Sequence, residues 1–201
     1  MILKTRDRLI EVARQVFYRK GVEKTTMNDI ALASQKSRRT IYTYFRTKKE
    51  IYRAVIESEC EEFVTQLRNV VENPLLDPTE KMRQFIIISI DNLETNMSAD
   101  PKSTEFDNDM SRVERIRRTT IQIKEEMLRS IVIEGVRQGV FDPRLSRHVL
   151  TVMIIIIRGL ESETFRGNKS NLGVSKNILK EHLSQFVVNF ITNNPYSNET
   201  T

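Results

Sequence analysis

The chain has 201 residues, 39% hydrophobic and 29% charged, a balance that suits a folded globular protein and excludes an extended disordered one. Six glycines and five prolines are too few for a turn-rich β architecture, so the expectation is an all-α fold. The single cysteine, Cys60, rules out an intrachain disulfide or a cysteine metal cluster, and the net charge of +5 is unevenly divided, with 14 Lys and Arg against 5 Asp and Glu in residues 1–55.

The remaining residues hold 18 basic side chains against 22 acidic ones. A basic head on an acidic body fits a polyanion-binding end, although a merely solvated basic face would have the same composition. The first stretch, "TRDRLIEVARQVFYRKG", sets Leu9, Val12, Ala13, Val16 and Phe17 at steps of three and four and ends at Gly21, which predicts a first helix. In "TTMNDIALAS", Thr25 or Thr26 is the N-cap of a very short second helix, with Asp29 in its first turn and Ile30 and Ala33 facing inward. After a break at 34–36, Ser37 caps a third helix. Its Ile41 and Phe45 point to the core and leave Arg38, Arg39, Thr40, Tyr42, Thr43 and Tyr44 largely outside. Thr47 and Glu50 have the spacing of a capping box for a fourth helix.

Two short helices around a three-residue turn, the second presenting polar side chains, read as a helix-turn-helix whose second helix fits the major groove of double-stranded DNA. Arg38 and Arg39 suit the two acceptors of guanine, Thr40 a base edge or a thymine methyl, and Tyr42 a phosphate. Lys48 suits a further phosphate at the start of the fourth helix. The alternative is that the tyrosines only pack within a three-helix bundle.

The string "GVEKTTMNDIALASQKSRRTIYTYFRTKKEIYRAV" resembles the DNA-binding head of the tetracycline-repressor-like (TetR) transcription regulators, through Gly21, Thr25, Thr26, Ile30, Ala31, Ala33, Ser37, Thr40, Ile41, Tyr42, Tyr44, Phe45, Lys48 and Glu50. It departs at Gln35 and Lys36, where members carry Gly and then Val, and at Arg39, where Gly is frequent. Gln35 must either take up the positive φ that glycine allows or tilt the turn. The resemblance implies a DNA-binding surface of Thr26, Ser37, Arg38, Arg39, Thr40, Tyr42, Tyr44 and Lys48, within a domain of residues 1–50. It also implies a helical regulatory domain over 51–192 and a solvated tail over 193–201.

The rest of the chain is read from its pattern. A helix of about 26 residues runs from "TKKE" to "VENP", and the acid cluster "ESECEE" at 57–62 along it reads as a solvated flank. Asp77 and Pro78 open a helix that is apolar on almost every side from Phe85 to Ile90. From Arg112 a long helix carries two apolar stripes, and its "RVERIRR" segment reads as an ion-paired surface or the rim of an anion pocket. Phe63, Met82, Phe85, Ile86, Ser89, Met127 and Ile131 could line a mainly apolar cavity; a fully packed core is the alternative. Gly139, Asp142 and Pro143 mark a stop, a cap and a new start.

Two last helices, about 144–165 and 175–192, are joined by "RGNKSNLG". The second carries more apolar surface than one neighbour can cover, which predicts a homodimer face including Ile154, Ile178, His182, Phe186 and Phe190. The N-terminus does not read as a secretion signal, so the glycosylation triplets at Asn168 and Asn198 are expected to be coincidences. The longest apolar run, 149–157, is about half of a bilayer span, so no membrane role and a cytoplasmic location are expected. His148 and His182 are the only histidines and have no catalytic or metal motif around them, so no enzyme activity, cofactor or metal is expected. By resemblance, a small-molecule effector of unknown identity would enter the body, swing the long helix and spread two recognition helices from their spacing of about 34 Å on DNA. Control by a protein partner, or no control, is the runner-up.

Overall fold

The computed structural model describes residues 2–95, 107–163 and 176–192, and every regular element among them is a helix. The order is α1 (Ile2–Lys20), α2 (Met27–Ala33), α3 (Arg38–Tyr44), α4 (Lys48–Val71), α5 (Pro78–Thr95), α6 (Asp107–Arg137), α7 (Pro143–Glu163) and α8 (Lys176–Thr192). The expected interhelical link "RGNKSNLG", the tail, both glycosylation triplets and the outermost helix ends at Phe165 and Ser175 lie outside the described residues.

Two compact units divide the chain: Met1–Glu62 with Thr95–Thr120, and Phe63–Glu94 with Ile121–Thr201. The first closes around Leu9, Ala13 and Phe17 of α1, Ile30 and Ala31 of α2, Ile41 of α3, Ile51 and Val55 of α4 and Val113 of α6. Phe17 meets Tyr52 edge to face, with ring centroids 5.8 Å apart. In α2, Ala31 faces this core and Ala33 is exposed, the reverse of the expected inward Ala33. The reason is helical spacing: the position four residues after Ile30 is Ser34, which is buried as the C-cap.

The second unit packs Phe63 and Leu67 of α4, Met82, Phe85, Ile86 and Ile90 of α5, Leu128, Ile131 and Val132 of α6, Met153 of α7 and Val187, Val188 and Ile191 of α8. Lys81, 5% exposed, lays its ammonium 2.9 Å from Glu134, and the ammonium of buried Lys124 lies 4.9 Å from the centre of the Phe63 ring. Such cations stay inside only where an anion or a π face replaces water. On α5, Ile87, Ile88 and Ser89 are only half-buried, so that helix is less enclosed than its composition implies.

The helix ends explain the chain's path. Asp77 accepts from Thr79 and Glu80 N–H at 2.8 and 3.0 Å, and Asp142 accepts from Arg144 N–H at 2.7 Å, so each caps a helix that opens with proline. At the end of α6, Gly139 with φ +71° puts its N–H on the Val136 carbonyl and the Val140 N–H on that of Gly135. That is a Schellman stop. The same pair of bonds ends α2, where Gln35 N–H reaches Leu32 and Lys36 N–H reaches Ala31, with Gln35 at φ +55°. Gln35 therefore takes the left-handed conformation itself, the first of the two expected outcomes. No helix among the described residues is long and apolar enough to cross a membrane.

Candidate nucleic-acid interface

The site is built on α2, α3 and the first turn of α4. Thr26 is the N-cap of α2: its hydroxyl accepts from Asp29 N–H at 3.2 Å, and the Asp29 carboxylate accepts from Thr26 N–H at 2.7 Å. Thr25, the other candidate, is buried and donates its hydroxyl to the Gly21 carbonyl at 2.7 Å. Lys20 reaches the same Asp29 at 2.7 Å and ties the end of α1 to the start of α2. Hydrogen bonds from Lys20 and then Thr26 hold the Asp29 carboxyl at about 2, well below the usual range.

α3 is only seven residues long and depends on its cap and its core contacts. The Ser37 hydroxyl accepts from Thr40 N–H at 3.1 Å and lies 2.9 Å from the Thr40 hydroxyl. Ile41 and Phe45 are buried, which turns Arg38, Arg39, Tyr42 and Thr43 outward as two i, i+4 rows. Arg38 donates from Nε to Asn28 Oδ1 at 2.9 Å, a link between α2 and α3 that spacing alone does not reveal. The Thr43 hydroxyl donates to the Arg39 carbonyl at 2.9 Å. Tyr42 is 49% exposed, whereas Tyr44 is half-buried against the core and so partly follows the packing alternative.

At α4, Thr47 accepts from Glu50 N–H at 3.2 Å, but the Glu50 carboxylate accepts from Arg46 N–H at 2.7 Å, one residue before the cap. Lys48 differs more from its expected use. Its ammonium donates to the carbonyls of Val22 and Glu23 at 3.1 and 3.2 Å and fastens the start of α4 to the α1–α2 turn. A phosphate there would share a nitrogen already held by two carbonyls.

The other predicted clusters fall as follows. Phe63, Met82, Phe85, Ile86 and Ile131 are buried together in the second unit, with Met127 packed beside them. Ser89 is half-buried, and its hydroxyl oxygen is shielded from water without a hydrogen-bond partner. Ile178, His182, Phe186 and Phe190 are exposed, Ile154 is half-buried against the second core, and Val152 and Ile155 of α7 add exposed apolar surface that the sequence reading missed. Phe186 and Phe190 stack with centroids 6.2 Å apart. The "ESECEE" segment is not a solvated flank throughout. Glu59 and Cys60 are buried, because Glu59 sits one turn from both Val55 and Phe63 on an inward face. No group of three or more metal-ligating side chains occurs among the described residues.

Residues 9–55 match the sequence pattern of bacterial regulatory proteins of the tetR family, a span that covers all of α2 and α3. The head of the chain therefore carries the sequence pattern of TetR-family regulators. The chain is 28% identical over 168 residues to the "Probable acrEF/envCD operon repressor" of Escherichia coli K12, covering 78% of this chain and 72% of that protein. It is also 35% identical over 83 residues to the "Probable HTH-type transcriptional regulator ArpR" of Pseudomonas putida, where the chain spans only 40% of the relative's length. The likeness to the solved structures is one of fold. The crystal structure of a transcriptional regulator from Cytophaga hutchinsonii superposes with a TM-score of 0.71 at 18% identity over 92% of this chain and 97% of that one. The fatty acid degradation regulator FadR of Bacillus halodurans gives 0.65 at 20% over 92% and 94%. All four are named as regulators or repressors.

Proposed function

We propose that this protein is a TetR-family transcriptional repressor that binds a palindromic operator as a homodimer and is released by a small, mainly hydrophobic ligand. The observation that carries the reading is the outward face of α3, where Arg38, Arg39, Tyr42 and Thr43 stand exposed and no carboxylate is paired with either arginine among the described residues. Arg38 and Arg39 read guanine, Thr40 and Tyr42 contact a base edge and the backbone, and Thr26, Ser37, Tyr44 and Lys48 position the helix against phosphates.

The dimer is supported by Val152, Ile155, Ile178, Phe186 and Phe190, five large apolar side chains left on the surface of α7 and α8. The ligand is supported by the apolar core around Phe63, Met82, Phe85, Ile86, Met127 and Ile131 and by the unsatisfied Ser89 hydroxyl. A buried hydroxyl without a partner costs about 1–3 kcal/mol, which a ligand with one polar group would recover. The Bacillus subtilis FadR of the same fold was crystallised in complex with stearoyl-CoA, and the E. coli relative is a repressor by name. Such a regulator works in the cytoplasm, where its DNA is.

Gel-shift titration at fixed salt, on a duplex selected from a random pool and on unselected DNA, tests the reading. Arg38→Ala or Arg39→Ala is expected to weaken selected DNA by about 1–3 kcal/mol and unselected DNA far less. Equal affinity of the wild type and the double variant on selected DNA refutes the assignment of α3. A thermal-shift screen of lipophilic compounds tests release, since a ligand at 100 times its Kd adds about 2.7 kcal/mol of stability. A screen without a stabilising compound favours control by a protein partner.

A further inference from the structure

In the first unit, α1 and α4 flank an open surface cleft of about 410 Å³ lined by Arg14, Gln15, Tyr18 and Arg19 of α1 and Glu59 of α4. The side chain of Glu59 is 6% exposed, and its carboxylate accepts no hydrogen bond among the described residues. The nearest cation is Arg14 Nε at 3.7 Å, itself buried without a hydrogen-bond partner. Arg14 is engaged elsewhere. Its Nη1 donates to Glu62 at 3.0 Å and lies 3.1 Å from Glu11, and its Nη2 donates to Glu62 at 2.6 Å and to the Ser58 hydroxyl at 3.0 Å.

The charged groups acting on Glu59 are therefore Arg14 and Glu11 from α1, Glu62 from its own helix and Arg117 from α6. Burial outweighs the arginines and raises the Glu59 carboxyl to about 7. A buried carboxylate without donors is unstable until something supplies them. The other walls suit a donor that carries a ring. Gln15 gives its amide nitrogen to Glu11 at 3.0 Å, which leaves its carbonyl oxygen as a second acceptor, and Tyr18, 64% exposed, offers an aromatic face. Arg19 is held along its own helix through Nε to the Gln15 main-chain carbonyl at 3.3 Å. An anion would meet the Glu59 carboxylate and an Arg14 already matched by two other acids.

We propose that this cleft binds a small organic cation with an aromatic body, its protonated amine or amidine donating to Glu59 and Gln15 while its ring lies on Tyr18. Charge-assisted hydrogen bonds to Glu59 and cation–π contact with Tyr18 provide the attraction, and the volume lies within the range of about 300–1,000 Å³ that small-molecule sites occupy. The site belongs to the first unit, does not involve the apolar core assigned to the effector, and stands whether or not that assignment does.

The test uses the full chain without DNA, so its outcome is independent of operator binding. Benzamidine, benzamide and benzoate, of matched shape and of positive, zero and negative charge, are titrated calorimetrically at pH 8 and pH 6. Benzamidine is expected to bind at one site at least about tenfold more tightly than benzamide, because only the cation makes a charge-assisted bond. Benzoate is expected not to bind. Lowering the pH from 8 to 6 protonates Glu59 and is expected to weaken benzamidine about tenfold. Glu59→Gln is expected to abolish both the preference for the cation and the pH effect. Tyr18→Ala, at an exposed position where folding is not at stake, is expected to weaken binding several-fold. Equal binding of benzamidine and benzamide, affinity unchanged by pH or by both variants, or no saturable binding overturns the proposal.

Discussion

Glu59→Gln is the substitution whose effect on stability can be worked out most fully. The unfolded chain titrates this carboxyl near 4.5, whereas the folded protein holds it at about 7, chiefly through burial. The folded state therefore binds its proton more tightly. The stability this group contributes is greatest below pH 4.5, falls as pH rises through that window, and is flat above about 7. At 1.36 kcal/mol per pH unit, the difference of about 2.5 units makes this one group responsible for a loss of roughly 3 kcal/mol between the two ends. Glutamine keeps the shape and removes the titration. It is expected to match the wild type near pH 4.5 and to exceed it by roughly 2–3 kcal/mol near pH 8. Urea denaturation followed by far-UV circular dichroism across that range reads the difference directly, and the comparison cancels every other titrating group. Parallel stability curves for the two proteins, or a wild type that gains relative to the variant as pH rises, would refute the burial argument.

Gly135→Ala places a Cβ 2.0 Å from Cδ2 of the buried Phe141 ring, so the ring must move and a loss of about 1–3 kcal/mol in thermal or urea unfolding is expected. Gln35→Gly removes a left-handed strain and is expected to gain up to about 1 kcal/mol by the same assays, with α3 unchanged. Asp29→Asn is expected to erase the part of acid unfolding that lies between about pH 4 and 2, since the depressed carboxyl contributes stability above its unfolded value and loses it as pH falls. Phe186→Glu puts a charge on the exposed α7–α8 apolar surface and is expected to yield monomers by light scattering; a variant that stays dimeric moves the interface elsewhere.

Much of the helix layout was legible in the sequence because its signals are local. Ser37, Asp77, Asp142 and Gly139 act on residues within one turn of themselves, and the i, i+4 spacing of Ile41 and Phe45 determines which side of α3 faces out. What the sequence hid depends on side chains meeting across helices. Ala33 and Ala31 are chemically identical, and only the packing of Ile30 and Ser34 decides which is covered. Lys48 and Arg38 read as free cations, yet each is held by groups 10 to 26 residues away, which charge spacing cannot reveal. Glu59 sits within an acid-rich run that looks solvated until Val55 and Phe63 are seen to share its face. On α7 the apolar composition was plain, but which of Val152, Ile154 and Ile155 meets the core was not, because neighbouring greasy positions differ only by a rotation about the helix.

The bond from Arg38 Nε to Asn28 makes two arginines of equal charge unequal in another respect. In the proposed complex Arg38 would reach DNA with its guanidinium already oriented by this bond and its two terminal nitrogens free to donate. Arg39, whose side chain has no such anchor among the described residues, must give up its freedom on contact, a loss of up to about 2 kcal/mol for a long side chain. Measured by calorimetry, engagement of the first should be favoured by heat with little entropic loss, and engagement of the second by heat against a larger one. Breaking the anchor with Asn28→Ala should make Arg38 behave thermodynamically like its neighbour while every contact it can form remains the same.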